Sequence, residues 1–219
     1  MGPNLAQVLN TVAHEIRTPL AVSQGYLKLY LDGRLTSPDD QQRALRQTRD
    51  ALGLIATICA DMNRVSTLSE LVEPALTEKI AAAELIGGLK AVKEVEGAAW
   101  QGDSVPPAAV ASNGARDLIR AVAIVARAAF DEARESPRAF RVEPSDGRAL
   151  ALLAGAQESV TALQSGPGDA KARPIDVTRG GKGLTLIWAS FVLQQHRVQT
   201  WNHGDHKASV GFRFPLVQV

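Results

Sequence analysis

The chain has 219 residues, enough for one large domain or two modest ones, and its 24 lysines and arginines against 23 aspartates and glutamates leave no net field to attract nucleic acid or an anionic membrane surface. The single cysteine, Cys59, excludes an internal disulfide framework and fits a reducing compartment. No apolar run reaches the roughly 20 residues needed to cross a bilayer, and Met1-Gly2-Pro3-Asn4 lacks the basic-then-apolar order of a signal peptide, so the chain is expected to be cytoplasmic, with no membrane contact of its own.

From Leu5 to Leu31 apolar residues fall at 5, 8, 12, 16, 20, 27 and 31, mostly the three-and-four spacing of one face of a long helix. Asp32-Gly33 ends it. Ser37-Pro38-Asp39-Asp40 starts a second helix, with Ser37 as N-cap, proline at the first position and acids in the first turn. A seam of Leu45, Thr48, Leu52, Ile55, Cys59 and Met62 alternates steps of three and four, which makes Cys59 an expected core residue. A hairpin of two such helices cannot close a core alone, and pairing two copies into a four-helix bundle is the economical solution. A homodimer is therefore expected. A hairpin packed only on the second half of its own chain is the alternative.

The character changes after Glu73-Pro74, where Gly87-Gly88, Gly97, Pro106-Pro107 and Ser112-Asn113-Gly114 punctuate an alanine-rich tail. This predicts a helical domain over 1–73 and a mixed α/β domain over 74–219. Within the second, helices are expected at about 77–93, 115–133 and 183–196, and strands at 139–142, 150–153, 198–201 and 210–214. His203 and His206, with Asp205 between them, sit in a composition that reads as a solvated hairpin turn and not a metal site. Trp100, Trp188 and Trp201 read as packing residues, without the basic and aromatic interleaving of a nucleic-acid platform. No metal site is expected.

The most specific segment is His14-Glu15-Ile16-Arg17-Thr18-Pro19-Leu20. At about 100° per residue His14 lies roughly 200° from both Val12 and Ile16, so its ring points away from the apolar stripe. Glu15 can hydrogen-bond one ring nitrogen and leave the other as a nucleophile, Arg17 can balance phosphate charge, and Thr18 sits one turn on with a hydroxyl beside the reactive nitrogen. Pro19 removes a helical hydrogen bond just past the site.

The string His-Glu-x-Arg-Thr-Pro-Leu resembles the H-box of two-component sensor histidine kinases, and the hairpin through Glu70 resembles their dimerisation and histidine-phosphotransfer domain. The resemblance implies that His14 is the phosphoacceptor, Glu15 its acid/base residue and Thr18 the residue that positions water for dephosphorylation of the partner, with Arg17 and Pro19 in support. It implies a dimeric four-helix bundle followed by an α/β sandwich of the histidine-kinase ATPase type, and a response-regulator receiver domain as partner.

The tail departs from that family. Gly181-Lys182-Gly183-Leu184-Thr185-Leu186-Ile187 resembles its second glycine box, which makes Gly181, Gly183 and Leu184 the candidate nucleotide-binding residues, their amides approaching phosphates at a helix N-terminus. Gln194-Gln195-His196 and Phe212-Arg213-Phe214-Pro215-Leu216 resemble the following helix and last strand. The helix that should carry magnesium-binding asparagines instead has Ile124 and Ala128 near those positions, and neither side chain offers the hard oxygen that magnesium requires. The strand that should end in Asp-x-Gly-x-Gly reads Leu150-Ala151-Leu152-Leu153-Ala154-Gly155-Ala156, without an acceptor for adenine, and little room remains for a lid between Gly155 and Gly180. A degenerate domain follows, with no tightly bound ATP or magnesium expected; the magnesium would belong to the response regulator. Three functions are open: a phosphotransfer protein exchanging the phosphoryl group of His14 with a regulator aspartate, an active ATP-dependent histidine kinase core, and a non-enzymatic dimeric scaffold.

Overall fold

Leu5–Leu31 forms helix α1 and Pro38–Ser69 helix α2, in a computed structural model that describes residues 5–69, 76–102, 105–133, 136–145, 149–163, 172–173, 183–203 and 206–217. The predicted boundary near residue 74 lies outside the described residues. Gly33, at φ +65°, ends α1: the Arg34 N–H reaches the Leu29 carbonyl at 3.1 Å and the Gly33 N–H the Tyr30 carbonyl at 3.2 Å, the paired bonds of a left-handed helix stop. At the start of α2 the Asp40 N–H donates to the Ser37 hydroxyl at 3.1 Å, and that hydroxyl donates to the Asp40 carboxylate at 2.7 Å, as the sequence predicted.

The two helices pack antiparallel through Val8, Val12, Pro19 and Ser23 on α1 and through Ala44, Ala51, Ile58 and Val65 on α2, all buried. The buried Ser23 hydroxyl donates to the Pro19 carbonyl at 2.9 Å, so no polar atom is stranded in the seam there. This corrects the predicted seam by about one position. Thr48, Ile55 and Met62 are partly buried, whereas Leu45, Leu52 and Cys59 are exposed, because close approach of the helices selects the small Ala44 and Ala51 in place of the leucines beside them. A second apolar stripe is left uncovered within one chain: Leu9, Leu20, Leu27 and Leu31 on α1, and Leu45, Leu52 and Leu54 on α2.

The rest is a mixed α/β unit. Its sheet runs β1 (Glu78–Ala81), β3 (Ala109–Ser112), β8 (His206–Val217), β5 (Ala149–Ala156), β4 (Arg138–Ser145), β2 (Ala99–Gly102); β7 (Gln199–His203) pairs with β8 and with the short β6 (Ala172–Arg173). Among the described residues β2 and β4 pair in parallel and the other pairings are antiparallel. The strands predicted at 139–142, 150–153 and 210–214 are the centres of β4, β5 and β8. The helix predicted over 77–93 is corrected: residues 78–81 pair as an edge strand with β3, and the helix, α3, spans only Ala82–Lys90.

Helix α4 (Ala115–Ala133) crosses β5 and β8 and buries Leu118, Val122, Val125, Ala129 and Phe130 against the sheet. Phe140 of β4 meets Phe130 edge-on at 5.2 Å between centroids and stacks on Trp100 at 4.4 Å. On the opposite face α5 (Gln157–Ala162) closes a smaller cluster of Ala139, Leu153, Val160, Leu163 and Trp201. The Trp201 ring lies over Gly211 so closely that a Cβ there would collide with it. His203 pairs with His206 across the β7–β8 hairpin, whose turn residues 204–205 lie outside the described residues.

Helix α6 (Gly183–Gln195) is predominantly apolar and buries side chains toward two different neighbours, while Thr185 and Gln194 stay exposed. Leu186, Ala189, Val192 and Leu193 enter the sheet core, while Leu184 and Ile187 enter a separate cluster with Val8, Val12, Ile58 and Val65 of the hairpin. One helix thus joins the two cores.

Candidate functional site

The exposed His14 faces a groove of about 1160 Å³ between α1, α2 and the start of α6. Arg17 and Thr18, both exposed, line the same groove, with Gln47 and Asp50 on the α2 side and Thr185 on the α6 side. Helix periodicity produces this: with Val12 and Pro19 committed to the α2 seam, positions 14, 17 and 18 fall on the opposite arc of α1. The four residues singled out from the sequence on α1 therefore share one surface, with one difference of orientation.

That difference is Glu15. Its side chain is half-buried and accepts a hydrogen bond from the backbone N–H of Leu184, in the first turn of α6. Burial pushes the Glu15 carboxyl above the ordinary carboxylate range; the Leu184 N–H opposes this, the nearby Asp61 carboxylate adds to it, and the His14 ring opposes it weakly. Gly183 makes the approach possible, since a Cβ at that position would collide with the Glu15 carboxylate and the Thr11 methyl group. The first turn of α6 contains no acidic side chain of its own. Glu15 supplies the negative charge that the amino end of a helix favours.

Of the three residues expected to hold a nucleotide, Gly181 lies outside the described residues, Gly183 packs on Thr11 and Glu15, and Leu184 is buried in the hairpin cluster with its amide engaged. On α4, Ile124 is buried and Ala128 partly buried, both within the sheet core. All eight residues of β5, including Leu150 to Ala156, are buried. No group of three or more His, Cys, Asp or Glu side chains positioned for a metal occurs among the described residues.

The sequence reading missed His196, which is buried at the end of α6. Its Nδ1 lies 2.7 Å from the Val192 carbonyl, to which only a protonated Nδ1 can donate, and its Nε2 accepts from the Asn113 N–H at 3.2 Å and lies 3.3 Å from the Ser112 hydroxyl. The Asn113 side-chain oxygen in turn accepts from the Thr77 N–H at 3.1 Å, tying the start of the α/β unit to the turn before α4. Desolvation holds the His196 ring below the usual imidazole range, against the smaller opposing pull of the Val192 carbonyl and Asp117. Only the contacts of β3 reveal this role; a histidine near a helix end has no distinguishing sequence pattern.

Residues 4–71 match the family described as the His Kinase A (phospho-acceptor) domain, a span holding both hairpin helices and the His14 segment. Among solved structures, Acinetobacter baumannii histidine kinase AdeS superposes with a TM-score of 0.54 and 17% identity, over 94% of this chain and 98% of that one. At that identity the likeness is one of fold: a helical hairpin followed by a curled α/β unit. Full-length ShkA in complex with AMPPNP matches at a TM-score of 0.48 and 16% identity, over 96% of this chain and 46% of that one. No curated protein matches the chain by sequence. No described helix is long and apolar enough to cross a membrane.

Proposed function

We propose that this chain, which carries a phospho-acceptor domain of the two-component histidine kinase family over residues 4–71, is a cytoplasmic homodimer whose His14 exchanges a phosphoryl group with an aspartate of a response-regulator receiver domain. The observation that carries the reading is the exposure of the His14 ring on a groove shared with Arg17 and Thr18. A neutral ring nitrogen attacks phosphorus in line, the P–O bond of the aspartyl phosphate breaks, and the aspartate leaves as a carboxylate. The ring proton is then taken up by Glu15, and the reverse steps return the group to the regulator. Arg17 balances the charge of the phosphoryl oxygens, and Thr18 holds a water for hydrolysis of the regulator's acyl phosphate. Fixed placement of these groups supplies most of the advantage over solution.

The second copy covers the stripe of Leu20, Leu27, Leu45 and Leu52, since a patch of that size is otherwise costly to leave in water. The α/β unit serves as a docking and regulatory body with weak or no affinity for Mg-ATP. The buried Ile124 and the partly buried Ala128 support that, because neither offers the oxygen donors a magnesium ion needs.

Incubating the protein with phosphorylated response regulators, without ATP, tests the proposal: label should transfer to the wild type and not to His14→Ala. Labelling that persists in His14→Ala, or none from any regulator of the same cell, would favour the scaffold reading. Low-micromolar binding of Mg-ATP in calorimetry, lost in Gly183→Val, would favour the ATP-dependent kinase.

A further inference from the structure

We infer that Asn10 is a further phosphoryl-binding residue of the His14 site, its side-chain amide donating to an oxygen of the phosphoryl group as that group joins or leaves the ring. The inference deepens the reading of His14 as phosphoacceptor and rests on it.

Asn10 precedes His14 by four residues, about one helical turn, and both are exposed on the groove that Arg17 and Thr18 also line. Side chains on a helix lean toward its amino end, so the His14 ring lies over the turn that carries Asn10, while Thr18 leans back toward His14 from the other side. A phosphoryl group on the ring nitrogen far from the helix therefore stands above Asn10. Residues three and four apart are neighbours on a helix surface, which gives His14 the company of Asn10, Thr11, Arg17 and Thr18. Thr11 has its methyl group packed against Gly183 of α6, Arg17 balances charge and Thr18 holds water, which leaves Asn10 as the neighbour without a task.

Structure alone gives no reason for an asparagine here. Asn10 sits in the second turn of α1, past the capping positions, where asparagine is a poorer helix former than alanine. Ser23, Thr48 and Thr57 turn their hydroxyls back onto the carbonyls four residues earlier, at 2.9, 2.9 and 3.1 Å. Among the described residues nothing claims the Asn10 carboxamide in this way, and the residue one turn upstream is Ala6.

The chemistry calls for a donor at this place. A phosphoryl group in transfer spreads negative charge over three equatorial oxygens, and the protein acts by placing donors around them. Glu15 and Asp50 bring two carboxylates to the groove, which oppose that charge. Arg17 serves the carboxyl-terminal side of the ring, and Asn10 gives the amino-terminal side a neutral N–H donor. A neutral donor holds the oxygens more weakly than a second cation, which suits a ring that must return the group as well as receive it.

The full chain tests this at neutral pH with phosphoramidate as a small donor: the His14 ring attacks phosphorus, the P–N bond of phosphoramidate breaks, and ammonia leaves with the ring proton. Labelling of His14 should slow about fivefold to tenfold in Asn10→Ala, the loss expected of one hydrogen bond to a charged group at an exposed site. It should slow further in Asn10→Asp, which keeps the shape and sets a carboxylate against the phosphoryl oxygens. Asn10→Gln restores the donor and should recover most of the wild-type rate. The thermal midpoint of Asn10→Ala should equal or exceed that of the wild type, because alanine is the better helix former, so the slower labelling is not a loss of fold. Labelling of Asn10→Asp as fast as the wild type would overturn the inference, since the side chain would then be accepting from the ring. Equal rates in all four proteins would overturn it as well and leave His14 as phosphoacceptor. Absence of His14-dependent label on the wild type would overturn the phosphoacceptor reading and the role of Asn10 with it.

Discussion

The Leu184 N–H closes on the Glu15 carboxylate, so an acid from the first helix of the chain caps the last one. The folded chain holds the Glu15 proton more tightly than the unfolded chain, for which 4.5 is the reference value. Between 4.5 and the higher folded-state value the native state binds more protons, so this residue's contribution to stability falls as pH rises through that window. Denaturant midpoints measured against pH should decline more from pH 4.5 upward in the wild type than in Glu15→Gln. Parallel curves would show that the carboxyl does not titrate abnormally.

His196 has the opposite sign. Its ring is neutral and buried, with a folded-state value below the reference of 6.5, so the unfolded chain binds more protons in the interval between the two. Its contribution is complete above about pH 6.5 and is lost as pH falls through the folded-state value. A proton on Nε2 would face the Asn113 N–H, donor against donor. The α/β unit of the wild type should therefore lose stability below pH 6.5 faster than that of His196→Asn, followed by tryptophan fluorescence during unfolding. Equal acid slopes would exclude the histidine as the cause.

Arg197 stands where a glycine is expected. Its φ of +55° and the bonds Val198 N–H to Leu193 carbonyl and Arg197 N–H to Gln194 carbonyl, both 2.9 Å, end α6 in the same way that Gly33 ends α1. A side chain in this conformation costs about 1–2 kcal/mol, partly offset because glycine gives the unfolded chain more freedom. Arg197→Gly should stabilise the chain by about 0.5–1 kcal/mol in urea titration. A destabilisation would mean that the exposed arginine makes compensating contacts.

Leu20 and Leu52 are both about half exposed, at 41% and 52%, on the stripe that one chain leaves uncovered. Leu20→Glu combined with Leu52→Glu should convert the dimer to monomer at tens of micromolar in light scattering, with helix content retained. A dimer that survives both charges would place its interface elsewhere.

The legible parts were those set by local rules. The end of α1 at Gly33, the Ser37 cap of α2 and the whole of α4 followed from turn chemistry and periodicity, and the solvent-facing His14 followed from its angle to Val12 and Ile16. The misread parts depended on partners distant in sequence. Glu78–Ala81 has no strand-like alternation and is a strand because Ala109–Ser112 lies beside it; β2 and β3 were missed for the same reason. Weighing leucine above alanine shifted the α2 seam and placed Cys59 inside, although an antiparallel pair of helices approaches most closely at its alanines. Glu15 was expected beside His14, and nothing within the motif could reveal that the start of α6 engages it.

The two-sided character of α6 means that the molecule cannot be divided at its apparent boundary. Cutting between hairpin and α/β unit would expose Leu184 and Ile187 on one fragment and Val8, Val12, Ile58 and Val65 on the other, two newly wetted surfaces with no native cover. Transplanting this hairpin onto a foreign α/β unit would require a recipient helix that begins with glycine and offers an aliphatic side chain four positions later. A helix without both would leave the graft ill-fitted, however well each half folds. The chain therefore behaves less as two modules in series than as one body whose halves share a single helix.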